Sequence, residues 1–123
     1  MILHAPRFVR LITGNFARAI TLYPFVFVRQ KRDSDDPVLL NHENIHLCQQ
    51  RELLVIPFYV CYLLEYGIGR LKGRNHRQAY EEISFEREAY THERDFTYLT
   101  QRKFMAFISY CKLFKLSKIF PKK

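Results

Sequence analysis

Between residues 19 and 30 the chain reads AITLYPFVFVRQ, a run of β-branched and aromatic side chains that predicts a strand pair or one bent strand. Pro24 lacks an N–H, which confines this segment to a sheet edge or a turn. The pattern then switches: KRDSDD, residues 31–36, is a charged loop. Asp36 followed by Pro37 predicts a helix start, because the carboxylate can cap free N–H groups and proline is pre-shaped for the first helical position. That helix should end or kink at Pro57, whose ring would clash with the Leu53 carbonyl. A second, very apolar helix follows through FYVCYLLEYGIG. Its apolar run from Leu53 to Leu64 is shorter than the about 20 residues a bilayer span takes, and it reads as a buried core helix.

GRLKGRNH, residues 69–76, marks a turn with its two glycines and an asparagine. Asn75 can cap a third helix of roughly 25 residues, since no breaker follows from His76 to about Arg102. Residues 103–120 read as a fourth, basic helix ending before Pro121. Its lysines alternate with Phe, Leu and Ile, which suits either the last helix of a bundle or a helix lying at a membrane interface. The expected fold is mainly α (α+β): about four helices in one compact core, with a small β element near the N-terminus. The 123 residues make one domain, with neither a repeat nor a low-complexity tract.

Composition narrows the function classes. Eight Tyr and eleven Phe supply core-forming side chains, which argues against disorder. The net charge of +8 favours an anionic partner. Nucleic acid is not expected, because Arg and Lys are scattered and no binding motif appears; peripheral contact with an anionic membrane stays open. Cys48, Cys61 and Cys111 form no Cys-x-x-Cys pair, so the chain reads as made for a reducing, cytoplasmic compartment. The basic N-terminus lacks the long apolar core and small-residue cleavage site of a signal peptide.

The chemistry lies in LLNHENIHLCQQRE, residues 39–52, where His42 and His46 stand four apart with Glu43 next to the first. Residues i and i+4 stack on one helix face, so both imidazoles can reach one metal. Glu43, turned by about 100° from His42, brings its carboxylate beside that metal, placed to take a proton from a water. Chance would produce this spacing in roughly one of eighty shuffled chains of this composition, so a metal site also needs a third protein ligand. ISFEREAY, residues 83–90, offers Glu86 on a face shared with Ala79, Glu82, Ile83, Ala89, Tyr90 and Glu93. Ala89 is small enough to let the histidine helix pack close by. Glu82 and Glu93 could accept the outer N–H groups of the histidines. From the residues alone, Glu82, Glu88 and His92 stay open as rivals to Glu86.

NHENIH together with FEREAY resembles the gluzincin branch of zinc peptidases, and in particular small bacterial zincin-like proteins, over residues 19–105. The resemblance implies His42, His46 and Glu86 as ligands of one Zn2+ per chain, and Glu43 as the general base of a peptidase acting on a peptide or protein substrate. Where many gluzincins carry an aspartate four residues after the ligand glutamate, this chain has Tyr90; Glu82, Glu93 or Asp95 would then orient a histidine. Tyr90, Tyr80 and His92 are candidate donors to the oxyanion, with Tyr90 assigned the role, and the 19–30 strand could hold an extended substrate along its edge. The alternative reading is a catalytically silent zinc-binding protein at a membrane surface.

Overall fold

The computed structural model describes residues 2–14 and 16–111. It is mostly helical, with a small three-stranded sheet at the N-terminal end. The 19–30 segment is a hairpin, as its composition predicts: β2 (Ala19–Leu22) and β3 (Phe25–Val28) pair antiparallel, with Ala19 opposite Val28. Pro24, behind a cis Tyr23–Pro24 bond, sits in the turn, where no ladder N–H is needed. Two elements that the sequence pattern did not predict precede the hairpin. β1 (Ile2–His4) pairs parallel with β3, and α1 (Pro6–Thr13) follows it, giving strand order β1-β3-β2. Strand alternation then serves two faces. Val26 and Val28 are buried with Ala19 against Leu39 and Leu47, whereas Phe27 turns the other way onto Phe8 of α1.

Asp36 caps α2 (Pro37–Leu53), its carboxylate accepting from the Val38 and Leu39 N–H groups. Arg18 donates to both Asp33 and Asp36, fastening the start of the hairpin to the start of the helix. The chain breaks at Leu54, which takes φ 71°, and bends by 111° into α3 (Val55–Leu71). The break falls three residues before Pro57 and leaves that proline in the first turn of α3, where its missing N–H costs nothing. Only the inner side of α3 is core, through Phe58 and Gly69; its outer side is exposed, unlike the buried helix expected. A Cβ at Gly69 would lie 3.1 Å from the Ala79 Cβ, which is why glycine stands at this crossing. Among the described residues no single helix is long and apolar enough to cross a membrane.

The long third helix does not form. Asn75 caps as expected, in a reciprocal box with Gln78, but α4 (His76–Glu81) ends after six residues. Ile83 is extended, and α5 (Ser84–His92) starts afresh. The cause lies in another helix: Glu65 of α3 accepts from the Ser84 N–H at 2.6 Å and from its hydroxyl at 2.7 Å, supplying an N-terminal cap. At the other end the Asn41 amide of α2 donates to the carbonyls of His92, Glu93 and Asp95, taking up the unpaired C-terminal acceptors. After α6 (Tyr98–Gln101) the expected basic helix is not α-helical in its described part. Residues 106–110 form a 3-10 turn that drives Phe107 against Phe85, into a core with Phe58 and Ile83. The remainder of that helix, from residue 112, lies outside the described residues. None of the three cysteines is in a disulfide.

Candidate metal centre

α2 presents His42 and His46 one turn apart, and α5, held against it at both ends, presents Glu86. All three side chains are buried. The His42 and His46 Nε2 atoms are 3.2 Å apart; Glu86 Oε1 is 3.1 Å from the first and Glu86 Oε2 3.3 Å from the second. Ligands 2.0–2.1 Å from a tetrahedral zinc lie about 3.3–3.4 Å from one another, so the spacing fits that ion.

The proton inventory supports the same fit. A carboxylate only accepts, so His42 Nδ1 donates to Glu93 Oε1 at 2.9 Å. The Gln49 amide nitrogen donates to the Phe85 carbonyl and to Glu88, which turns its oxygen toward His46 Nδ1 at 2.7 Å. With both imidazoles neutral, their Nε2 lone pairs and the Glu86 carboxylate face one point, a group that could hold a metal ion. Tyr62 donates to Glu86 Oε2 at 2.6 Å and orients the carboxylate. Burial, then the Glu86 charge, holds the Tyr62 hydroxyl well above its ordinary range, so it stays a donor. In the metal-free cluster protons take the cation's place. Burial alone would lower the His46 pKa, but the adjoining Glu86 carboxylate outweighs it and His46 rises to about 9. Burial alone would raise Glu86, yet the two histidines hold it far below the carboxylate range.

Glu43 stays out of the ligand cluster. It is 6 % exposed and accepts from the Thr21 hydroxyl of β2 at 2.6 Å. Two clefts meet beside it. One, of about 490 Å3, is charged, with Arg18, Arg77, Arg94 and Glu93 around His42. The other, of about 470 Å3, is aromatic, with Tyr59, Tyr62 and Tyr66 of α3 facing Ile12 and Phe16. Tyr80 lines both clefts, and its hydroxyl meets that of Tyr90 at 3.1 Å. The Tyr90 ring packs on His42 with centroids 4.5 Å apart. Burial raises the pKa of both tyrosines, so both hydroxyls are protonated. β2 is the outer strand on this side, but its Thr21 carbonyl already accepts from Gln50 and Tyr59. Pairing of an extended chain along β2 is thus restricted to the Ala19 end.

The structure brings His42, His46, Glu86, Glu43, Tyr80 and Tyr90 together and sorts the rivals. Glu82 binds Arg74, Glu88 joins Arg102, Tyr98 and Gln49, and His92 stacks on Tyr98 while bonding Tyr110. Asp95 caps its own turn at Thr97. Of the three candidates for orienting a histidine, Glu93 does so. Gln49 was legible in principle, three residues after His46 on the same face. Thr21 and Tyr62 were not, because only the packing of strand and helix on α2 brings them in. No protein-family model matches the chain, and no curated protein or solved structure matches it.

Proposed function

We propose that this protein is a zinc-dependent peptidase with His42, His46 and Glu86 as ligands and Glu43 as general base. The observation that carries the reading is the position of Glu43: a buried carboxylate outside the ligand set, fixed by Thr21, where both clefts meet. When bound, the metal would supply a Lewis acid that polarises water and a peptide carbonyl. Glu43 takes the proton of the attacking water and passes it to the leaving amine. Thr21 engages one carboxylate oxygen and so leaves the other for that proton. Glu93 and Gln49 engage the two Nδ1 atoms, so that with a metal bound both Nε2 atoms would face it. Tyr90, backed by Tyr80, donates to the oxyanion that develops on the carbonyl. Three thiols outside any disulfide support a cytoplasmic setting.

Glu43→Gln keeps the shape but cannot accept the proton. Zinc content should hold at one per chain, while hydrolysis of a cleaved peptide falls by about 10²–10⁴-fold. Full turnover in Glu43→Gln excludes the base. A zinc-loaded wild type that cleaves nothing in a broad peptide library leaves a silent zinc-binding protein.

A further inference from the structure

We propose that the outer face of α3 docks the protein on an anionic membrane surface, with the aromatic cleft opening at the lipid side. On a helix, residues 56, 60, 63, 64 and 71 fall on one stripe within about 100° of arc, opposite the buried Phe58 and Gly69. Those five are Ile56, Val60, Leu63, Leu64 and Leu71, each more than half exposed, and Leu54 leads into them. The one acid of α3, Glu65, points inward and is engaged by Ser84. A stripe this apolar on an outer face marks a contact surface.

Charge selects the occupant. The fold draws the acids in: of twelve Asp and Glu residues only Asp35, Glu81 and Asp95 are exposed, against eleven of the fifteen described Arg and Lys. The solvent-facing surface is therefore strongly cationic. Exposed Arg70 and Lys72 stand at the end of the stripe. Apolar side chains flanked by arginine and lysine match the interface of an anionic bilayer. The lining of the aromatic cleft adds a second reason. Leu63 of the stripe and exposed Ile12 of α1 both line it, and its inner end reaches Glu43 and His46. A second copy of this chain seated on the stripe would cover that opening, whereas a fluid bilayer can feed a chain into it. Docking itself does not depend on the metal, so the chelated protein should bind equally.

The test is sedimentation of the full chain with phosphatidylcholine vesicles, with and without phosphatidylglycerol. The protein should pellet only with the anionic vesicles and be released by salt. Val60→Asp combined with Leu64→Asp, both at exposed positions, should lower the bound fraction about tenfold with circular dichroism and zinc content unchanged. Because the chain has no tryptophan, Val60→Trp supplies one fluorophore; its emission should shift to the blue on anionic vesicles. Wild type in the supernatant with both lipids overturns the proposal. So does unaltered binding by the double variant, which would move the contact to the lysine-rich residues after 111. A solution dimer that the double variant converts to monomer also overturns it, in favour of a second copy.

Discussion

The molecule buries carboxylates in two neighbouring places and treats them differently. On one side of Gln49, Glu52 and Glu88 receive both edges of the Arg102 guanidinium, and Tyr98 adds a bond to Glu88 at 2.6 Å. Arg102 and Glu88 are almost wholly buried, and the cluster is complete: every acceptor meets a donor that this chain supplies. On the other side of Gln49, Glu86 meets two imidazoles whose Nδ1 atoms bond Glu93 and Gln49 itself. The same glutamine touches both groups, its nitrogen on Glu88 and its oxygen on His46. A buried ion pair that carries its own cation is architecture. A buried cluster of two imidazoles and a carboxylate could hold a metal ion.

Removing a member should therefore harm different properties on the two sides. The largest effect belongs to the acceptor cluster. His46→Ala should abolish stoichiometric zinc, and Glu86→Ala should weaken binding by more than about a hundredfold, as read by titration against a zinc chelator. Retained one-to-one zinc in Glu86→Ala would remove the third ligand and with it the contrast. Next comes Arg102→Met, which strands two buried carboxylates and should cost about 3–5 kcal/mol in urea unfolding. The fraction that stays folded should still bind one zinc.

Gln49→Leu tests the bridge. It releases the His46 tautomer and removes a donor from Glu88, so zinc affinity should drop by about ten- to a hundredfold with a modest loss of stability. Equal affinity would mean that the two clusters are independent.

The smallest effect is on pH. In the chelated protein His46 titrates near 9 rather than at its ordinary 6.5. A raised folded value means stabilisation that is full below 6.5 and lost as pH climbs through 9. Glu86, depressed, has the opposite sign: its contribution is present above its ordinary 4.5 and disappears toward acid. The melting temperature of the metal-free protein should thus fall by a few degrees between about pH 6.5 and 9. Zinc loading should flatten that decline, since bound zinc holds the ligands deprotonated. Burial alone would loosen the Arg102 proton, but bonds to Glu88 and Glu52 hold the guanidinium still more firmly protonated, so it adds nothing to this slope.

Much of this was legible along the chain, and for local reasons. The Asp36–Pro37 start, the Asn75 cap, the break ahead of Pro57 and the hairpin around Pro24 each depend on residues within a few positions of one another. The histidine spacing is likewise a property of one helix turn. Glu86 was the preferred ligand, but its rivals could be dismissed only when each was seen to have another partner. β1 and α1 escaped notice because three exposed residues, ILH, gain strand geometry from pairing with β3 rather than from their own pattern.

What the sequence by itself determined is the set of short-range devices: where α2 begins, that His42 and His46 share a face, and that the fold is mainly helical. What only the tertiary structure decided is where α5 starts and stops, which acid completes the cluster, and which residues back the two histidines. The physical reason is distance along the chain. Glu65 caps Ser84 from 19 residues away and Asn41 caps the end of α5 from more than 50. A capping carboxylate or amide works through space and leaves no periodic mark near the helix it ends. Within the stretch from His76 to Arg102 the local turn at Asp95 and Thr97 adds to those two contacts. Glu86 owes its place against the histidines to the short helix they cut.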